Sequence, residues 1–142
     1  LSGKNQFPAT LNWQSSDPRT GFNPSSQPSQ NGSVPSQVTT GTMSGTNTIY
    51  SNIIELSRMD NEGFTVNWTG TPTGTLTLFA ANADGQVWPA LTFNPALAQP
   101  SGSAGFMGIE ITQFKYKYLM FQYANASGSG VLTINAQSRD LN

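Results

Sequence analysis

The sequence predicts an all-β protein, an antiparallel β-sandwich of jelly-roll-like kind with an extended polar N-terminal arm. Three observations point there. The apolar runs are short and alternate with period two, turn-forming residues interrupt them roughly every 8–12 residues, and no window of about a dozen residues carries the period of an amphipathic helix. At 142 residues the chain is the size of one ordinary domain and can bury a core without staples.

The arm comes first. Of the 34 residues from 14 to 47, 28 are Ser, Thr, Gln, Asn, Gly or Pro, which leaves too little apolar surface for a core of its own. Pro18, Pro24, Pro28 and Pro35 favour extended geometry. The expected division is therefore an arm over 1–47 and a sandwich over 48–142. Four apolar side chains in the polar stretch cannot offset the entropy of ordering it. The arm is expected to lie along a neighbouring subunit, with Phe7, Trp13 and Phe22 as assembly anchors. The competing expectation is that it wraps its own sandwich as long loops.

Strands follow from residue 48. Residues 52–58 alternate weakly around Ile54 and Leu56. Residues 62–69 alternate cleanly, with Phe64, Val66 and Trp68 on one face. Gly70-Thr-Pro-Thr-Gly74 reads as a turn, and 75–80 puts Leu76, Leu78 and Ala80 inward. Asn82-Ala-Asp-Gly85 is a hairpin signal before a strand over 86–93, which Pro89 places at an edge or bulge. Residues 94–104 read as a loop, and 105–112 as a strand with Phe106, Ile109 and Ile111. Residues 115–124 form the most aromatic strand, with Leu119, Phe121 and Tyr123 on one face and Tyr118, Met120 and Gln122 on the other. A small-residue hairpin over 125–130 leads to a last strand over 131–137. Phe64, Val66, Trp68, Leu76, Leu78, Ile111, Leu119, Phe121, Leu132 and Ile134 are the expected core.

Composition excludes several function classes. Charged residues make up 9% of the chain and the net charge is −1, so no basic footprint for nucleic acid or an anionic membrane exists. No apolar run reaches the roughly 18 residues of a membrane span, and residues 1–20 lack a signal-peptide pattern. Leu1 is not an initiator, so the chain reads as a processed form or a fragment. With neither Cys nor His, a Ser-His-Asp triad, a thiolate nucleophile and a sulfur metal site are all unavailable. A Ser-Lys arrangement with Lys115 or Lys117 has no motif behind it. The carboxylates are Asp17, Asp60, Asp84, Asp140, Glu55, Glu62 and Glu110, and nothing in their spacing suggests a facing pair. Asn82 and Asp84 lack the repeated acidic positions of a calcium loop. The expectation is no enzyme, no cofactor and no metal. Asn31, Asn67 and Asn125 open N-x-Ser/Thr triplets, as chance supplies in so Ser/Thr-rich a chain. The candidate ligand or partner surface is aromatic: Trp88, Tyr116 and Tyr118.

Residues 66–88 (VNWTGTPTGTLTLFAANADGQVW) and 116–132 (YKYLMFQYANASGSGVL) resemble a β-sandwich module of bacteriophage structural proteins. That pattern runs strand, Thr-Gly-Thr-Pro-x-Gly turn, strand ending in Ser-Asn-Asp-Gly-x-x-Trp, loop, Tyr-Lys-Tyr-Val-Arg and a glycine-serine hairpin. The likeness spans about residues 55–137 and departs at Ala81–Gly85 and at Leu119-Met120, where Val-Arg is common. The resemblance implies a virion component, whether capsid, cement, spike or tail, whose partners are copies of itself and other virion proteins. The alternative is a carbohydrate- or host-receptor-binding sandwich that meets a host-surface glycan, on a virion or at a bacterial or extracellular surface.

Overall fold

In the computed structural model, residues 6–20, 22, 41–55, 61–82, 87–92, 99, 103–111 and 116–139 are described. They form ten strands: β1 (Gln6–Thr10), β2 (Trp13–Gln14), β3 (Gly41–Ser44), β4 (Thr48–Ser51), β5 (Ile54–Glu55), β6 (Asn61–Trp68), β7 (Thr73–Ala81), β8 (Gly105–Ile111), β9 (Tyr118–Ser127) and β10 (Ser129–Arg139). No helix occurs among the described residues. The fold is a sandwich of two five-stranded antiparallel sheets. Sheet A runs β1-β10-β6-β8, with β3 also on β10; sheet B runs β2-β4-β9-β5, with β7 on the other side of β9.

The alternation that predicted β6 sets its register. Phe64 and Val66 are buried, Thr65 is exposed, and the pairs Val66–Ile134 and Phe64–Ile109 keep apolar side chains on one face across three strands. Sheet B meets that face with Leu76, Leu78, Leu119, Phe121 and Tyr123. Phe64 and Phe121 touch edge to face at 4.9 Å, the arrangement favoured by ring quadrupoles. Eight of the ten expected core residues are buried; Trp68 and Ile111 are half-buried against the same cluster. Trp68 lies over Gly105 and donates Nε1–H to the Ser103 carbonyl at 2.9 Å, so its polar end stays at the margin.

Two expected turns do something different from closing hairpins. The 70–72 turn carries the chain from β6 in sheet A to β7 in sheet B, and Gly128 carries it back from β9 to β10. The two crossovers stack on each other: Thr71 N–H donates to Ser129 O at 2.9 Å and Thr69 N–H to Val131 O at 3.0 Å. Gly70 and Gly128 both have φ near +77°, and a Cβ on Gly128 would overlap the Thr71 carbonyl oxygen. Composition revealed both turns. Which sheet each strand joins depends on long-range pairing, which local composition does not encode.

Residues assigned by sequence to the arm supply strands of the chain's own sandwich. β1 pairs with β10 from Gln6–Arg139 to Thr10–Asn135, β3 pairs further along the same edge, and β2 pairs with β4. Leu11, Trp13 and Met43 enter the core. Averaged over a polar stretch, these flanking strands were masked by their neighbours. Residues 23–40, the bulk of the expected arm, lie outside the described residues. The expected strand over 86–93 is not formed at 87–92, where the described chain makes a single antiparallel bridge from Ala90 to Phe79. Pro89 supplies no N–H for a ladder.

Candidate functional site

The outer face of sheet B carries a second, smaller core. Phe22, Ile53, Ala81, Tyr118 and Met120 are buried there, with Tyr50, Phe79 and Trp88 half-buried around them. Strand β9 makes this possible because both of its faces are apolar, and something must cover the outer one. The cover is the segment after β2, which turns through Thr20 N–H to Asp17 O (3.2 Å) and Phe22 N–H to Arg19 O (3.1 Å). It lays Phe22 against Tyr118 (5.1 Å, 80°) and Trp88 (6.0 Å, 69°), and Trp88 lies 6.4 Å from Tyr118.

A polar clasp fixes this strap. Arg19 donates Nε–H and Nη2–H to the two carboxylate oxygens of Asp17 at 3.0 and 2.8 Å, a bidentate pair. Its guanidinium lies 4.3 Å from the centre of the Phe79 ring. The hydrogen bond from the Arg19 side chain holds the Asp17 carboxyl below its ordinary value, against the opposing effect of partial burial. At one end of the cluster Lys117 pairs with Glu55 at 3.7 Å and sits 5.6 Å from the Tyr118 ring centre.

The residues singled out by sequence are thus redistributed. Of the expected surface Trp88, Tyr116 and Tyr118, the structure brings Trp88 and Tyr118 together, but Tyr118 is buried. Tyr116 packs on the main core instead. They form no exposed aromatic platform, because β9 needs its outer face covered. Of the expected anchors, Trp13 is buried in the main core and Phe22 in the outer one, so both hold the chain to itself. Phe7 lies in β1 opposite Ser138, and its side chain is outside the described residues.

The outer face of sheet A is the opposite kind of surface. In register across β8, β6 and β10 stand Phe106, Asn67 and Thr133, and in the next outward row Gly108, Thr65 and Asn135, with Thr10 beyond. Thr10 donates its hydroxyl to Asn135 Oδ1 at 2.7 Å. Neither row carries a charged residue, and the exposed Glu110 stands in the row after them, opposite Gly63. Phe106 is 77% exposed. Sequence reading grouped Phe106 with Ile109 and Ile111; the signal that separates them is phase, since 106 is even where the inward positions are odd.

No group of three or more Asp or Glu able to hold a metal occurs among the described residues. Asp60, Asp84, Asp140 and Lys115 lie outside them, and the side chain of Glu62 is not described. Asn125 is buried, giving Nδ2–H to the carbonyls of Gly45 (2.9 Å) and Gly128 (3.0 Å), so its triplet ties the β3–β4 turn to the sheet crossover.

No protein-family model matches the chain, and no curated protein does. Among solved structures it is similar to chitosan-binding module 1 of a chitosanase/glucanase from Paenibacillus sp. IK-5, at 15% identity and a TM-score of 0.47, over 94% of this chain and 95% of that one.

Proposed function

We propose that the chain is a non-enzymatic structural module of a bacteriophage particle that works through protein–protein contacts. The observation that carries this reading is the inequality of the two outer faces. Sheet B's is closed by the chain's own strap. Sheet A's is uncovered among the described residues, nearly uncharged over their side chains, and carries an exposed phenylalanine. A bare face of that composition suits coverage by a neighbouring protein, since contact cores are poor in charge and rich in aromatics. The resemblance at 66–88 and 116–132 supplies the setting, and it is an analogy as far as function goes. Quantitative mass spectrometry of purified particles from the source tests the reading. The chain should be present at a fixed copy number; its absence from particles overturns the proposal.

One observation favours a second reading, glycan binding. Phe106 stands beside Asn67, with Thr65 and Thr133 adjacent, and an aromatic ring flanked by amides and hydroxyls suits a neutral sugar. A glycan array read with the wild-type chain and with Phe106→Ala separates the two: binding that disappears in the variant supports a receptor role, and none leaves assembly.

A further inference from the structure

The sheet edges are not equally guarded. Among the described residues, β7 has its free edge occupied: Ala80 N–H donates to Pro89 O at 3.2 Å, Leu91 N–H to Leu78 O at 2.8 Å, and the Gln99 side chain engages both backbone groups of Leu76. β2 is two residues long, β3 four, and β1 contains Pro8. Each is a recognised way to prevent unwanted pairing. Among the described residues, strand β8 has none of these protections: it is seven residues long, pairs there only with β6, has no proline, lysine or bulge, and carries one charge, Glu110. Its inward side chains Met107 and Ile111 pack on the core yet remain half-buried, as they would at an edge awaiting one more strand.

We propose that β8 is an interface strand through which two copies of this chain pair antiparallel about a twofold axis at Gly108, joining their A sheets into one. The occupant is a second copy because the strand is complementary to itself in that register. Gly108 meets Gly108 of the other copy, Met107 meets Ile109, and Phe106 meets Glu110. The inward apolar row therefore continues unbroken across the junction. The two Glu110 carboxylates are kept apart, each against the other copy's Phe106 ring and not against like charge. Antiparallel pairing leaves opposed Cα atoms about 4.5–5.5 Å apart, and no side chain at Gly108 obstructs the approach. This pairing deepens the assembly reading and is tested separately. A chain that stays single in solution removes the β8 junction, while copy number in particles still decides assembly.

The test is light scattering of the intact chain across a concentration series. The wild-type mass should rise to twice that of one chain. Phe106→Glu, at an exposed position that leaves folding intact, places like charges in register and should weaken association by about tenfold or more. Adding Glu110→Lys to that variant restores opposite charges and should restore the dimer. A Cβ on Gly108 meets nothing closer than Phe64 O at 3.9 Å, so Gly108→Cys is tolerated. In a chain with no other cysteine it should form a disulfide-linked dimer on oxidation, since about 4.4–6.8 Å between Cα atoms permits the bond. A wild-type chain that remains single, a Phe106→Glu variant that associates unchanged, a double variant that fails to recover, or a Gly108→Cys variant that stays unlinked would each overturn the pairing.

Discussion

The outer face of sheet B and the outer face of sheet A are built from neighbouring strands of one sandwich and end up in opposite states. On sheet B, Tyr118 and Met120 alternate with the main-core residues of β9, so the strand is apolar on both sides and its outside is sealed by Phe22, Trp88 and the Asp17–Arg19 clasp. On sheet A, β6 and β10 put Thr65, Asn67, Thr133 and Asn135 outward, and nothing among the described residues covers them or Phe106. The difference teaches where a partner can act. A sealed face contributes to the stability of the single chain; an unsealed face is free for contact, and changes there should leave folding alone.

That contrast is open to measurement. The largest effect belongs to the sealed face. Met120→Ala empties a fully buried position and should cost about 2–5 kcal/mol in urea unfolding; a loss below about 0.5 kcal/mol would mean that the outer cluster is no core.

The clasp should show a smaller, pH-dependent effect. The carboxyl of Asp17 is held below its unfolded value of about 3.9, so its contribution is complete above that pH and is lost as pH falls through the lowered folded value. Asp17→Asn should therefore be less stable than wild type at neutral pH, and the gap should close in acid. A gap that stays constant from neutral pH to about pH 2 would show that the pair does not hold the strap.

The smallest effect belongs to the open face. Phe106→Ala should change the unfolding free energy of the single chain, measured at high dilution, by no more than about 0.5 kcal/mol, since an exposed side chain loses little contact.

Much of this contrast lay within reach of the sequence, and the missing parts have physical reasons. The alternation in β6 gave the core face of sheet A, and the split of β9 into Leu119, Phe121 and Tyr123 against Tyr118 and Met120 gave the two faces that the structure buries in two clusters. What covers the second face was not legible. Phe22 sits in a stretch whose composition reads as a solvated arm, and Pro89 takes the Trp88 segment out of the ladder. Val87, expected in a strand, is 68% exposed beside it. Strands β1 to β3 were hidden for a related reason: they are short, and edge pairing, of β1 and β3 to β10 and of β2 to β4, needs little local hydrophobicity. Phe106 is the sharpest lesson for the candidate site. Its residue type suggests core, and only its phase against Ile109 and Ile111 shows that it faces outward.

The central claim is that the working surface is the open face of sheet A with its edge β8, and that the strap side is internal. Hydrogen exchange of the intact chain, free at a dilution that keeps it single and assembled in the proposed particle, tests it most directly. The account predicts that β8 amides gain protection on assembly while those of the 15–22 strap are protected alike in both states. Unchanged exchange in β8, with new protection confined to the strap, would contradict it.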